Sequence, residues 1–111
     1  MKDDPLKPQQ GKREDLVKKR IKEILTKHKI WYWMPSAGVY GRGGASDFIC
    51  CCHGVMIAIE AKADSTCTPT VLQKKFMQEV KDAGGLAMVV HRANLTELDT
   101  WLGELITMRS W

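Results

Sequence analysis

Asp47-Phe48-Ile49-Cys50-Cys51-Cys52-His53-Gly54-Val55-Met56-Ile57-Ala58-Ile59-Glu60-Ala61-Lys62 is the stretch from which the rest of the chain can be organised. Two runs rich in strand-forming residues flank a Gly-containing dipeptide, the pattern of a β-hairpin. A two-residue turn at His53-Gly54 makes Cys52 face Val55, and continuing that ladder outward sets Asp47 opposite Glu60. Opposed residues share a face, with Cβ atoms roughly 4.5–5.5 Å apart. Lys62, two residues beyond Glu60, joins the same face. Two facing carboxylates repel each other, and a hard divalent cation between them would remove that penalty, since Mg²⁺ prefers carboxylate oxygen and water. Phe48, Cys50, Cys52, Val55, Ile57 and Ile59 line one face of the hairpin; Ile49, Cys51, Met56 and Ala58 line the other. A sheet apolar on both sides needs helices on both sides, which puts the charged end at the rim of a sandwich.

Upstream, residues 1–12 hold two prolines and a mix of charges, and read as a flexible tail. From Arg13 to His28 the residues Leu16, Val17, Ile21, Ile24 and Leu25 form a helical stripe, with Lys18, Lys19, Lys22 and Lys29 off it. Glu14 stands one turn before Val17, where a first-turn acid also suits the helix dipole. Ile30 to Met34 reads as a strand stopped by Pro35; its aromatics Trp31, Tyr32 and Trp33 are expected mostly in the core. Ser36 to Ala45 is a glycine-rich loop carrying Tyr40 and Arg42, both plausible phosphate contacts; no Gly-Lys-Ser/Thr follows it, so it is not a P-loop.

Downstream, Thr68-Pro69 suggests an N-cap and a first-turn proline for a helix whose stripe is Leu72, Phe76, Val80 and Ala83, ended by Gly84-Gly85. Gln73 lies early in that helix and off the stripe, followed by Lys74 and Lys75. Leu86 to Val90 is a further strand, and Asn94 with Glu97 makes a capping-box-like start for a last helix bearing Leu98, Trp101, Leu102 and Leu105. The order is αβββαβα: a single-domain α/β sandwich with a mixed sheet and helices on both faces, its folded part spanning 13–111.

The chain has 111 residues and a net charge of +4, unevenly spread. Residues 1–46 carry eleven Lys or Arg against five Asp or Glu, and residues 47–111 carry six against eight. A basic half beside an acidic centre suits a protein that grips phosphate and holds a cation, though a solvated basic helix gives the same balance. No apolar run approaches the ~20 residues of a membrane span, and the charged N-terminus lacks a signal core, so a cytoplasmic protein is expected. The cysteines Cys50, Cys51, Cys52 and Cys67 are then expected reduced. Neighbouring strand cysteines point to opposite faces, which disfavours a zinc site and suits small buried hydrophobes.

The Asp47 … Glu60-Ala61-Lys62 pattern, with the preceding glycine and the following helix carrying Gln73, resembles the PD-(D/E)xK nuclease superfamily, and within it the VRR-NUC family in the minimal stand-alone form that phages carry. The resemblance runs from about Glu14 to about Val90. Ser46 stands where a proline often precedes the first Asp, a departure that removes no ligand. The resemblance implies a restriction-endonuclease-like fold and a metal-dependent, structure-selective DNA endonuclease, of the Holliday-junction resolvase kind. By carry-over, Asp47, Glu60, Lys62 and Gln73 are the catalytic set. Asp47, Glu60 and the Ala61 carbonyl would hold Mg²⁺ or Mn²⁺, with Glu14 a further candidate ligand. Lys18, Lys19, Lys22, Tyr40, Arg42, Lys74 and Lys75 would grip the DNA backbone.

The expected partners are branched DNA and a second copy of the chain, with no membrane and no nucleotide cofactor; if phage-encoded, it would work in the host cytoplasm. A homodimer would supply two symmetric nicks, with Trp101, Ile106, Met108 and Trp111 as interface material; the alternative is that these residues complete the monomer core, which is the expectation for Trp101. Two other readings stay open: a non-catalytic DNA-binding module on the same fold, which leaves the carboxylate pair without a role, and a flap or restriction-type nuclease. The last usually needs recognition insertions, for which 111 residues leave little room.

Overall fold

The computed structural model describes residues 6–36 and 43–109, with side chains from Gly11 onward. The elements run α1 (Leu6–Lys27), β1 (Trp31–Trp33), β2 (Phe48–Cys52), β3 (Val55–Ala61), α2 (Val71–Asp82), β4 (Leu86–Val90), a 3-10 turn (Arg92–Asn94) and α3 (Leu95–Arg109). The four strands lie in sequence order in one sheet, antiparallel from β1 to β3 and parallel between β3 and β4. This is the expected α/β sandwich with a mixed sheet.

The hairpin register follows from its turn. His53 and Gly54 take φ of 48° and 84°, the positive pair that a type I′ turn demands. Cys52 pairs with Val55 and Phe48 with Ile59, as the sequence predicts. Phe48, Cys50, Ile57 and Ile59 are fully buried with Val17, Ile21 and Leu25 of α1 and Leu98 and Leu102 of α3. The opposite face is covered by α2, whose Phe76 and Val80 pack on Ala58, Ile49 and Ala87. The C-terminal end of α1 is tied to the second turn of α3, where His28 Nε2 lies 2.6 Å from Asp99 Oδ1 and Lys27 pairs with the same carboxylate.

Several expectations are corrected. The helix begins at Leu6, so residues 6–12, expected as tail, are helical; Pro8 falls in the first turn, where its missing N–H has no partner to lose. The N-cap of α2 is Thr70, not Thr68: its hydroxyl accepts from Gln73 N–H, and Gln73 Oε1 accepts from Thr70 N–H. Asn94 turns back on the 3-10 turn, accepting from His91 N–H and donating to the Val89 carbonyl, rather than capping forward toward Glu97. Leu16 and Leu72, expected in buried stripes, are 53 % and 57 % exposed, and Ala83 is exposed too. Met77 is buried in α2 instead. Cys50 and Cys52 are buried small hydrophobes, with burial pushing the Cys50 thiol up to about 12, but Cys51 is exposed.

The aromatic run is corrected as well. Tyr32 packs on the core, edge-on to Phe48 at 5.7 Å, while Trp31 and Trp33 point the other way and stay exposed. A helix is ~10 Å wide and four strands span roughly 14 Å, so α2 alone cannot cover its whole face. It sits over β3 and β4, and the β1 end of that face remains open.

Candidate active site

Asp47, Glu60, Lys62 and Gln73 converge where the first turn of α2 meets the ends of β2 and β3. Strand pairing does most of the work. Extending the β2–β3 register by one step sets Asp47 beside Glu60, and the Ala61 N–H donates to Asp47 Oδ2 at 2.8 Å. The N–H and C=O of one strand residue point the same way. The Ala61 carbonyl is therefore also turned toward the Asp47 side. Upstream of Asp47, Gly44 has φ 79°, and a Cβ there would meet the Leu72 backbone at 2.5 Å. Only glycine lets the chain press this closely on the first turn of α2 before delivering Asp47.

Gln73 joins the cluster through its capping box. Locked to Thr70 by two hydrogen bonds, its amide accepts from Lys62 Nζ at 3.1 Å and donates to Glu60 Oε2 at 3.0 Å. Lys62 Nζ lies 3.7 Å from that same Glu60 oxygen. Glu60 is 2 % exposed, and its other oxygen, Oε1, has no hydrogen-bond partner among the described residues. Burial first, then the neighbouring charge and hydrogen bond of Asp47, push the Glu60 carboxyl up to about 8, with Lys62 pulling the other way. A buried carboxyl set against a second one is relieved either by the proton it holds or by a cation that takes that proton's place.

Glu14 is held to this cluster through Lys18, whose Nζ lies 3.6 Å from both Glu14 Oε2 and Asp47 Oδ1. Burial lowers the Lys18 pKa, but the charges of Asp47, Glu14 and Asp15 outweigh it and hold the ammonium above its ordinary value. Lys18 thus faces the acids rather than open solvent. Among the described residues no group of three or more His, Cys, Asp or Glu side chains is placed to hold a metal ion. The donors on offer are two carboxylates and a backbone oxygen, a set that fits a hard cation keeping several waters.

The remaining expected residues are spread more widely. Lys19 and Lys22 are exposed on α1, and Lys74 and Lys75 are exposed on α2. Tyr40 and Arg42 lie outside the described residues. Thr70 was missed; the Thr-x-x-Gln spacing of a capping box was its signal. Trp33, in an aromatic run expected mostly in the core, is exposed and pairs with Ile49, two residues from Asp47 on the face that carries Glu60. Searches of protein-family models, curated proteins and solved structures find no match to this chain.

Proposed function

We propose that the protein is a metal-dependent DNA endonuclease that hydrolyses phosphodiester bonds in branched DNA. The observation that carries this reading is the clamp at the α2 N-terminus: one glutamine amide bridges Lys62 and buried Glu60, beside Asp47. A network built only for stability would not set a buried glutamate directly against a second carboxyl group. Mg²⁺ or Mn²⁺, when bound, would supply Lewis acidity at the scissile phosphate and a water acidic enough to attack it. Asp47, Glu60 and the Ala61 carbonyl would hold it, with Glu14 able to join once Lys18 moves aside.

Lys62, 13 % exposed in its side chain, is positioned by Gln73 to orient the attacking water and to offset charge on the phosphorane-like transition state. Gln73 keeps Glu60 Oε2 and Lys62 Nζ at fixed separation, so neither collapses fully onto the other. The basic helix α1 and the exposed Lys74 and Lys75 supply sequence-independent phosphate contact, which weakens as salt rises.

The test is a panel of labelled four-way junctions, forks and flaps incubated with Mg²⁺ or Mn²⁺. The wild-type protein cuts at least one branched substrate. Glu60→Gln, Asp47→Asn and Lys62→Ala each lower the rate by about a hundredfold or more while fold and DNA binding persist. Near-normal turnover in any two of these variants rejects the mechanism. Intact binding with no cutting by the wild-type protein would favour a DNA-binding module instead.

A further inference from the structure

The open end of the sheet carries two tryptophans that the site described above does not use. Trp31 and Trp33 are 63 % and 56 % exposed, on the face of the sheet that bears Asp47 and Glu60. Exposed Cys51 and Met56 lie beside them, beyond the reach of α2. Two large indoles kept in water at consecutive same-face positions are costly unless something covers them.

Resting on the nuclease reading, we propose that Trp31 and Trp33 form a stacking platform for unpaired bases of the DNA strand that leads into the candidate site. Three observations favour bases as the occupant. First, same-face neighbours on a strand are roughly 6.6–6.8 Å apart. That is about twice the 3.4 Å stacking repeat of nucleic acid bases, so one base fits between the rings or two lie along them. Secondly, Trp33 pairs with Ile49, one same-face step from Asp47, so a strand stacked there continues directly onto the carboxylates. Thirdly, the chain from Ile24 to Ser46 contains no Asp or Glu, so no carboxylate of the segment that bears the two indoles repels a polyanion. Every base has a π-face, so such a platform selects unpaired strands without reading sequence. It would make the enzyme prefer branched or frayed DNA, where bases are free to leave the stack.

The experiment compares binding of a labelled oligothymidylate with that of an abasic strand of equal length, by fluorescence anisotropy in chelator so that nothing is cut. The two strands share their phosphates and differ in their bases. The wild-type protein should bind the base-bearing strand about tenfold more tightly. Trp31→Ala and Trp33→Ala should each erase most of that preference and leave abasic binding unchanged, while Trp33→Phe keeps it. Equal binding of both strands by the wild-type protein overturns the proposal, as does an equal loss on both strands in the alanine variants. Light scattering on the same proteins covers the other occupant: conversion of a dimer to a monomer by Trp31→Ala would show that a second copy covers this face. Equal binding with branched DNA still cut removes the platform alone. Base preference in a protein that cuts nothing removes the nuclease and leaves the platform.

Discussion

Glu60 is 2 % exposed beside Asp47, and its carboxyl holds a proton up to about pH 8, against about 4.5 when unfolded. The folded state therefore binds that proton more tightly than the unfolded state does. Its contribution to stability is complete below the unfolded value and disappears as pH rises through the folded one. In chelator, the melting temperature of the wild-type protein relative to Glu60→Gln should fall between pH of about 5 and about 9, by roughly 4 °C or more. Taking the difference cancels Asp64 and Asp99, whose lowered values act in the opposite sense. A difference that stays flat with pH would contradict the buried, protonated carboxyl. Thr70 acts one step back. Thr70→Val removes the hydroxyl that receives the Gln73 N–H, costing about 1 kcal/mol of helix stability. The Gln73 amide keeps its bond from the Thr70 N–H, but the loosened first turn places it less firmly between Lys62 and Glu60, so cleavage should drop by up to about tenfold. Thr70→Ser should restore both, and rescue of stability without rescue of rate would show that Gln73 placement is irrelevant to the chemistry.

At the scale of elements, the hairpin was legible because its turn and its register are local. His53-Gly54 sets the pairing, and the pairing sets Asp47 beside Glu60. The start of α2 was harder, because Thr68-Pro69 and Thr70-x-x-Gln73 are both reasonable starts. Only the second leaves Gln73 able to reach Glu60 and Lys62 from the first turn. Trp31 and Trp33 were misread for a different reason. Alternation shows that they share a face, but how far α2 spreads across that face is a tertiary fact. The His28–Asp99 tie was equally invisible, since 71 positions separate the partners. The glycine-rich loop was read for its phosphate contacts. Its last glycine has a sharper role, as Gly44 packs against the Leu72 backbone. Gly44→Ala forces both a positive φ and a 2.5 Å contact, and should destabilise by more than about 2 kcal/mol in urea titration. A neutral result would mean that the loop and α2 are not tightly apposed.

At the scale of the whole molecule, the proposal is that the chain works as a pair. Trp101 packs against the monomer core, as expected of it, and Ile106, expected as interface material, does so too, while Met108 is exposed and Trp111 lies outside the described residues. The homodimer remains a proposal that rests on the need for two symmetric nicks in a four-way junction. Size-exclusion light scattering should report twice the 12.6 kDa chain mass at micromolar concentration. A monomer leaving a single nick per junction would shift the substrate to flaps or single strands.

The sheet order has one more consequence, for which parts of the molecule open first. β3 is hydrogen-bonded on both sides, antiparallel to β2 and parallel to β4, whereas β1 is a three-residue strand at the edge. In hydrogen–deuterium exchange the amides of Ile57 to Ala61 should be among the last to exchange, through near-global unfolding, while those of Trp31 to Trp33 exchange early through local fraying. Glu60 rides on the slow strand and the exposed indoles on the fast one. The charged centre would then keep its shape while the edge beside it breathes, so that strands of differing geometry meet a yielding border and a fixed anvil.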